Sequence, residues 1–92
     1  PEVRRDLAIL INREIEANSV LETVQSVAGE DLRNLRLFDI YEGKGIDLKE
    51  KSLALGLTYQ HSSRTLNEDE VNASVNRVVA ELQTRFGATL RN

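Results

Sequence analysis

The sequence predicts an α+β fold, two helices packed on one face of a four-stranded antiparallel sheet. Three observations lead there. Apolar residues repeat with strand periodicity in four segments and with helical periodicity in two. The segments alternate in the order strand, helix, strand, strand, helix, strand. A chain of 92 residues buries one core, with room for about one layer of helix on one layer of sheet and none for a deep, lidded cleft.

The first segment, "RRDLAILI" from Arg4 to Ile11, is rich in aliphatic and β-branched residues and reads as a strand. In "NSVLETVQSVAGE" the apolar Val20, Leu21, Val24, Val27 and Ala28 share one helical face. Asn18 or Ser19 is expected to cap its start, and Gly29 sits where a positive φ ends a helix. "LRNLRLFDIY" and "KSLALGLTYQ" read as two strands joined by the hairpin "EGKGIDLKE", where Gly43 and Gly45 permit positive φ. "LNEDEVNASVNRVVAELQTRFG" opens on Asn67 with Glu70 three residues on, a capping box. Val71, Val75, Val78, Val79, Leu82 and Phe86 then form one apolar stripe, and Gly87 ends the helix. "ATLR" supplies a short last strand. This βαββαβ order is the ferredoxin-like sandwich, whose sheet has one face covered by helices and one bare.

Strand alternation says what the bare face displays. In the third strand Leu53, Leu55, Leu57 and Tyr59 should turn toward the helices, and Ser52, Ala54, Gly56 and Thr58 away. In the second strand Phe38 and Ile40 should point inward, leaving Asp39 and Tyr41 on the bare face beside Ser52. Leu35 and Leu37 share the parity of Asp39, which calls either for a bulge or for a cover over that end of the face.

Composition narrows the chemistry. The chain has no Cys, hence no disulfide, thiolate metal site or cysteine nucleophile. Its one His, His61, lies beside Ser62 and Ser63 with no second His to share a metal. No apolar run reaches the ~20 residues of a membrane span, and "PEVRRD" lacks the apolar core of a signal peptide. A cytoplasmic domain, 1–92, cut from a longer chain is expected. The net charge of −3 is unevenly spread. Residues 14–31 hold five acids and no base, and residues 67–86 four acids against Arg77 and Arg85. Everything else therefore carries +4, which leaves an anionic partner open.

Five stretches in order, "RRDLA" (Arg4–Ala8), "FDIYEGKGI" (Phe38–Ile46), "KSLALGL" (Lys51–Leu57), "RTLNEDEV" (Arg64–Val71) and the terminal "LR" (Leu90 and Arg91), carry a resemblance over essentially the whole chain. It resembles the ferredoxin-fold anticodon-binding domain at the C-terminus of the bacterial phenylalanyl-tRNA synthetase β subunit. The resemblance implies that the bare face holds the first anticodon base, a guanine, of phenylalanine tRNA. Tyr41 would stack on that base, and Asp39 and Ser52 would hydrogen-bond it. It also implies a parent enzyme that uses ATP and Mg²⁺ on an α subunit within an (αβ)₂ assembly, with no catalytic, cofactor or metal site in this domain.

The chemistry of the residues agrees. Guanine presents two adjacent N–H donors on its Watson–Crick edge, which a carboxylate accepts together, whereas adenine presents a bare ring nitrogen. Single-stranded RNA is read by stacking splayed bases on aromatic rings and hydrogen-bonding their edges. Arg4, Arg5, Lys44, Lys49, Lys51 and Arg91 are candidate phosphate contacts, which position without specifying. Arg5 and Asp6 have a second reading as partners of neighbouring side chains, and Arg64 as a tie to the acidic first turn of the second helix.

Three other readings compete with this one. An acylphosphatase shares the topology but needs a glycine-rich anion cradle after the first strand, and "NREIEAN" offers Arg13 without a glycine. An RNA-recognition motif needs aromatics where Ser52, Ala54, Gly56 and Thr58 stand. A regulatory or assembly domain, binding a small ligand or a protein, would use Leu35 and Leu37 on the bare face.

Overall fold

The computed structural model describes residues 1–91. The chain runs β1 (Val3–Asn12), α1 (Ala17–Ala28), β2 (Leu32–Tyr41), β3 (Glu50–Tyr59), α2 (Glu68–Phe86) and β4 (Thr89–Leu90). The strands form one antiparallel sheet in the order β2-β3-β1-β4. This is the ferredoxin-like βαββαβ arrangement that the periodicities predict. Among the described residues no helix is long and apolar enough to cross a membrane.

Local chemistry sets the helix ends. The Asn67 side chain accepts a hydrogen bond from the Glu70 backbone N–H at 2.9 Å. The Glu70 carboxylate takes Arg64 at 2.8 Å, tying the preceding loop to the first turn. Gly87 adopts the left-handed conformation (φ 69°), and its N–H closes the helix onto Gln83 O. The start of α1 differs from expectation. Glu16 occupies the cap position with no side-chain cap, and Asn18 and Ser19 already lie within the helix. The cause is the tight turn after β1, where Asn12 accepts from both Glu14 N–H and Ile15 N–H and delivers the chain into the helix early.

The core fills the space between the helices and the inner face of the sheet. Ile9, Ile11, Leu53, Leu55, Leu57 and Tyr59 are buried against Val20, Val24, Val71, Val78 and Leu82. Val75, expected on this line, is only half-buried and flanks the core, as Val79 and Phe86 do. The buried line of α2 runs instead through Val71, Ser74, Val78 and Leu82. Ser74 is tolerated there because its hydroxyl donates to Ala28 O at 2.6 Å, which leaves the Tyr59 hydroxyl to donate to Ser74 Oγ at 2.8 Å.

The β2–β3 ladder settles the question posed by Leu35 and Leu37. Its register shifts between Leu32 and Asn34 and again between Leu37 and Asp39, which leaves Arg33 and Phe38 unpaired. Leu35 and Leu37 thereby face Leu57 and Leu55 on the inner side, and Asp39 and Tyr41 face Ala54 and Ser52 on the outer. The best evidence for an assembly surface built on Leu35 and Leu37 disappears with that turn. Phe38 does not point inward as simple alternation requires. It is the extra residue of the bulge and stands 42% exposed. Ile40 keeps the inner parity opposite Leu53 but sits on the edge strand at 51% exposure, not packed against the core.

Candidate nucleic-acid interface

The outer face is assembled from three strands. Its floor is β3, where Ala54 pairs with Ala8 of β1, Ser52 with Leu10, and Gly56 with Asp6. Small residues in the central strand leave the face shallow. The long side chains come from the flanks and lie across that floor.

Two arginine–aromatic pairs cross it. Arg91 follows β4 and anchors its backbone N–H on Ala8 O at 2.8 Å. Its guanidinium reaches over β1, donates to Ser52 Oγ at 3.2 Å and lies 5.5 Å from the centroid of the Tyr41 ring. Ser52 accepts from Arg91, so its own hydroxyl hydrogen is available to an acceptor. Tyr41 is pinned at its other end, donating its phenol hydrogen to Lys44 O at 2.8 Å. Arg4, the second cation, starts in β1 and passes over Gly56. A Cβ on Gly56 would stand 2.8 Å from the guanidinium, so only glycine admits this path undisturbed. Arg4 lies 5.7 Å from the Phe38 centroid and pairs with Asp6 at 3.0 Å.

Asp39 sits between these pairs, opposite Ala54. Among the described residues its carboxylate has no hydrogen-bond or ion-pair partner, and it is exposed. The turn-bonding role that competes for such a residue is taken by Asp47, which accepts from Lys49 N–H at 2.7 Å. A free carboxylate, a hydroxyl with a proton to give and a pinned phenol ring thus share one patch. It can stack a planar ring and accept two adjacent N–H groups from its edge.

The structure divides the six candidate phosphate contacts. Arg4 and Arg91 lie on the outer face, and Lys44 is exposed in the hairpin beside Tyr41. Arg5 has the opposite parity, pairing with Leu57, and donates to Asn72 of α2 at 2.6 Å. Lys51 also has inner parity, opposite Ile11, and is largely buried. Lys49 lies in the loop that leads into β3, where its carbonyl accepts from Arg13 N–H. Sequence reasoning missed Phe38 and Arg36. Arg36 pairs with Gly56 and so belongs to the outer face. The clash of parity at Leu35 and Leu37 was the available signal, since one extra residue before Asp39 moves Arg36 outward. His61 is held in its loop by Ser63, whose backbone N–H donates to Nδ1 at 3.1 Å.

Comparison with known proteins gives a consistent result. A family model described as a ferredoxin-fold anticodon-binding domain matches residues 1–91. The chain is 58% identical over 91 residues to the phenylalanine–tRNA ligase β subunits of Pseudomonas fluorescens and of Pseudomonas savastanoi pv. phaseolicola. The match takes in 99% of this chain and 12% of each relative, so the chain spans about an eighth of the proteins it resembles. With a match of that extent, the chain belongs to the ferredoxin-fold anticodon-binding domain family.

Proposed function

We propose that this domain, as one module of a phenylalanine–tRNA ligase β subunit, reads the first anticodon base of phenylalanine tRNA on its outer sheet face. Tyr41 stacks the guanine, Asp39 accepts its two Watson–Crick donors, and Ser52 donates to a base oxygen or phosphate. The observation that carries this reading is Asp39, an exposed carboxylate with no partner among the described residues, set beside a pinned tyrosine on a floor of small side chains.

Arg91 covers Ser52 and one face of Tyr41 in the free domain. An incoming nucleotide replaces that cover with its base, and the displaced guanidinium remains within reach of the sugar–phosphate chain. Arg4 and Lys44 add positive charge around the same patch. Specificity comes from Asp39, because adenine would set acceptor against acceptor there, and stacking on Tyr41 adds about 1–3 kcal/mol for any base.

The parent enzyme joins phenylalanine to its tRNA in the cytoplasm, using ATP and Mg²⁺, with an α subunit in an (αβ)₂ assembly. Among residues 1–91 no three His, Cys, Asp or Glu side chains converge as a cation site requires. ATP and Mg²⁺ belong in this reading to the chemistry of the parent enzyme, and the role proposed for this domain is tRNA binding.

Aminoacylation kinetics of the intact ligase on tRNA carrying guanine or adenine at the first anticodon position test the reading. Asp39→Asn replaces one acceptor with a donor that faces a guanine donor. It should cost roughly 1–3 kcal/mol on the guanine substrate and narrow the guanine-to-adenine ratio. Tyr41→Ala should weaken both substrates alike, by about the worth of one stacked base. An unmoved ratio in a correctly folded Asp39→Asn enzyme would remove Asp39 from base recognition.

A further inference from the structure

Phe38 is unexplained by a single-base site. An aromatic side chain in a strand of this kind belongs in the core, yet the bulge before Asp39 turns it out of the ladder and leaves it 42% exposed on the face that also carries Tyr41. Arg4 reaches over Gly56 to the Phe38 ring, as Arg91 reaches over Ser52 to Tyr41. The outer face thus repeats one arrangement twice: a cation from β1 or from just past β4, a small residue in β3, and an aromatic in β2. Beside the second copy stands Arg36, exposed, opposite Gly56, and without an ion pair among the described residues.

We infer that the β2 bulge forms a second nucleotide subsite, in which Phe38 stacks the base adjoining the one on Tyr41 and Arg36 holds the phosphate of that second nucleotide. The inference rests on the proposed reading of Tyr41 and Asp39 and extends it from one base to a track of two nucleotides. Three residues of strand separate the rings by about 10 Å of backbone. That exceeds the ~3.4 Å rise of stacked nucleotides, so bases on both rings are splayed apart, the form in which single-stranded RNA is recognised. Arg36 lies on the Phe38 side of Asp39, where it can neutralise backbone charge without competing for the base edge that Asp39 takes.

The test uses the intact ligase and tRNA transcripts made abasic at the first anticodon position or at one of its two neighbours. Phe38→Ala should raise Kd for normal tRNA by about 5- to 150-fold, the equivalent of one stacked base. Phe38→Tyr, which keeps the ring, should restore it. The Phe38→Ala penalty should vanish on one of the two neighbour-abasic transcripts and persist on the first-position one. Tyr41→Ala should behave in the reverse way. Arg36→Gln should lower the logarithmic salt slope by about 0.7, the increment for one phosphate of a single strand. If Phe38→Ala leaves Kd unchanged while Tyr41→Ala weakens binding, the second subsite is overturned and the first base site stands. A Phe38→Ala enzyme that loses thermal stability or subunit assembly without a change in Kd identifies the ring as a protein contact and also overturns the subsite. If neither variant weakens binding, the failure is that of the base-reading face itself. An unchanged salt slope for Arg36→Gln removes the phosphate contact alone.

Discussion

The two sides of β3 are built by opposite rules from alternate residues of one strand. Toward the helices, Leu53, Leu55 and Leu57 are 0% exposed and Tyr59 is 1% exposed. Toward the outside, Ser52, Ala54, Gly56 and Thr58 are small, and the bulk over them comes from Arg4 and Arg91. Apolar burial, the main favourable term in folding, is confined to one side. The other side supplies a polar, aromatic-edged surface whose side chains are held by single hydrogen bonds and ring contacts. Changes on the two sides should therefore separate cleanly, inner ones acting on stability and outer ones on tRNA.

The largest expected effect comes from charging the inner side. Val78 is 0% exposed, and Val78→Asp buries an unpaired carboxylate at a cost of several kcal/mol against a stability of about 5–15 kcal/mol. The domain should lose its cooperative melt by circular dichroism. Val75→Asp, on the half-buried flank, should be milder and leave a melt at reduced Tm. Equal damage from the two would mean that the helix presents a broader face to the sheet than its buried line indicates.

A smaller effect tests the Tyr59–Ser74 hydrogen bond within the core. Burial holds the Tyr59 phenol above its ordinary value of about 10, offset in part by the Ser74 hydroxyl and the Arg77 and Arg5 charges. With the folded value raised, the contribution is fully present below pH ~10 and is lost as pH rises through the raised value. Thermal melts should thus show an alkaline loss of stability that Tyr59→Phe flattens. At neutral pH the same substitution should cost about 0.5–1.5 kcal/mol for the hydrogen bond to Ser74. An alkaline arm unchanged in Tyr59→Phe would assign it to other groups.

Element order and the second helix were legible because Asn67, Glu70 and Gly87 mark its ends by local chemistry. The inner face of β3 was legible because its alternation is unbroken. The first helix start was not, since Asn18 and Ser19 are good caps by type and only the Asn12 turn moves the boundary past them. Asp39, Tyr41 and Ser52 came out on one face for a partly mistaken reason. Parity counted from Phe38 placed them correctly, but the same count sent Phe38 and Arg36 inward, because one unpaired residue reverses the assignments before it back to the next shift, at Arg33. Reach was illegible as well. Nothing in the spacing of Arg91 shows that it crosses β1 to touch Ser52 and Tyr41, or that Arg5, next to Arg4, turns to the opposite side and binds Asn72.

The smallest effect sharpens the contrast most, because it changes one atom on the outer side of the best-buried strand. Glycine within a strand is destabilising by roughly 0.5–1 kcal/mol relative to alanine. Gly56→Ala recovers that amount but sets a Cβ 2.8 Å from the Arg4 guanidinium, the far end of a flexible side chain that can move aside. Displacing Arg4 from Phe38 loses an exposed cation–π contact of about 0.5–1 kcal/mol. The two terms nearly cancel, so Tm of the domain should stay within a few degrees of its starting value. Binding of tRNA to the intact enzyme should nevertheless weaken, because the outer face loses the placement of Arg4 over its floor. Paired melts and Kd measurements on Gly56→Ala check this. A fall in Tm with no change in Kd would show that Arg4 and Phe38 serve the fold, and the two sides of β3 would then no longer divide stability from recognition.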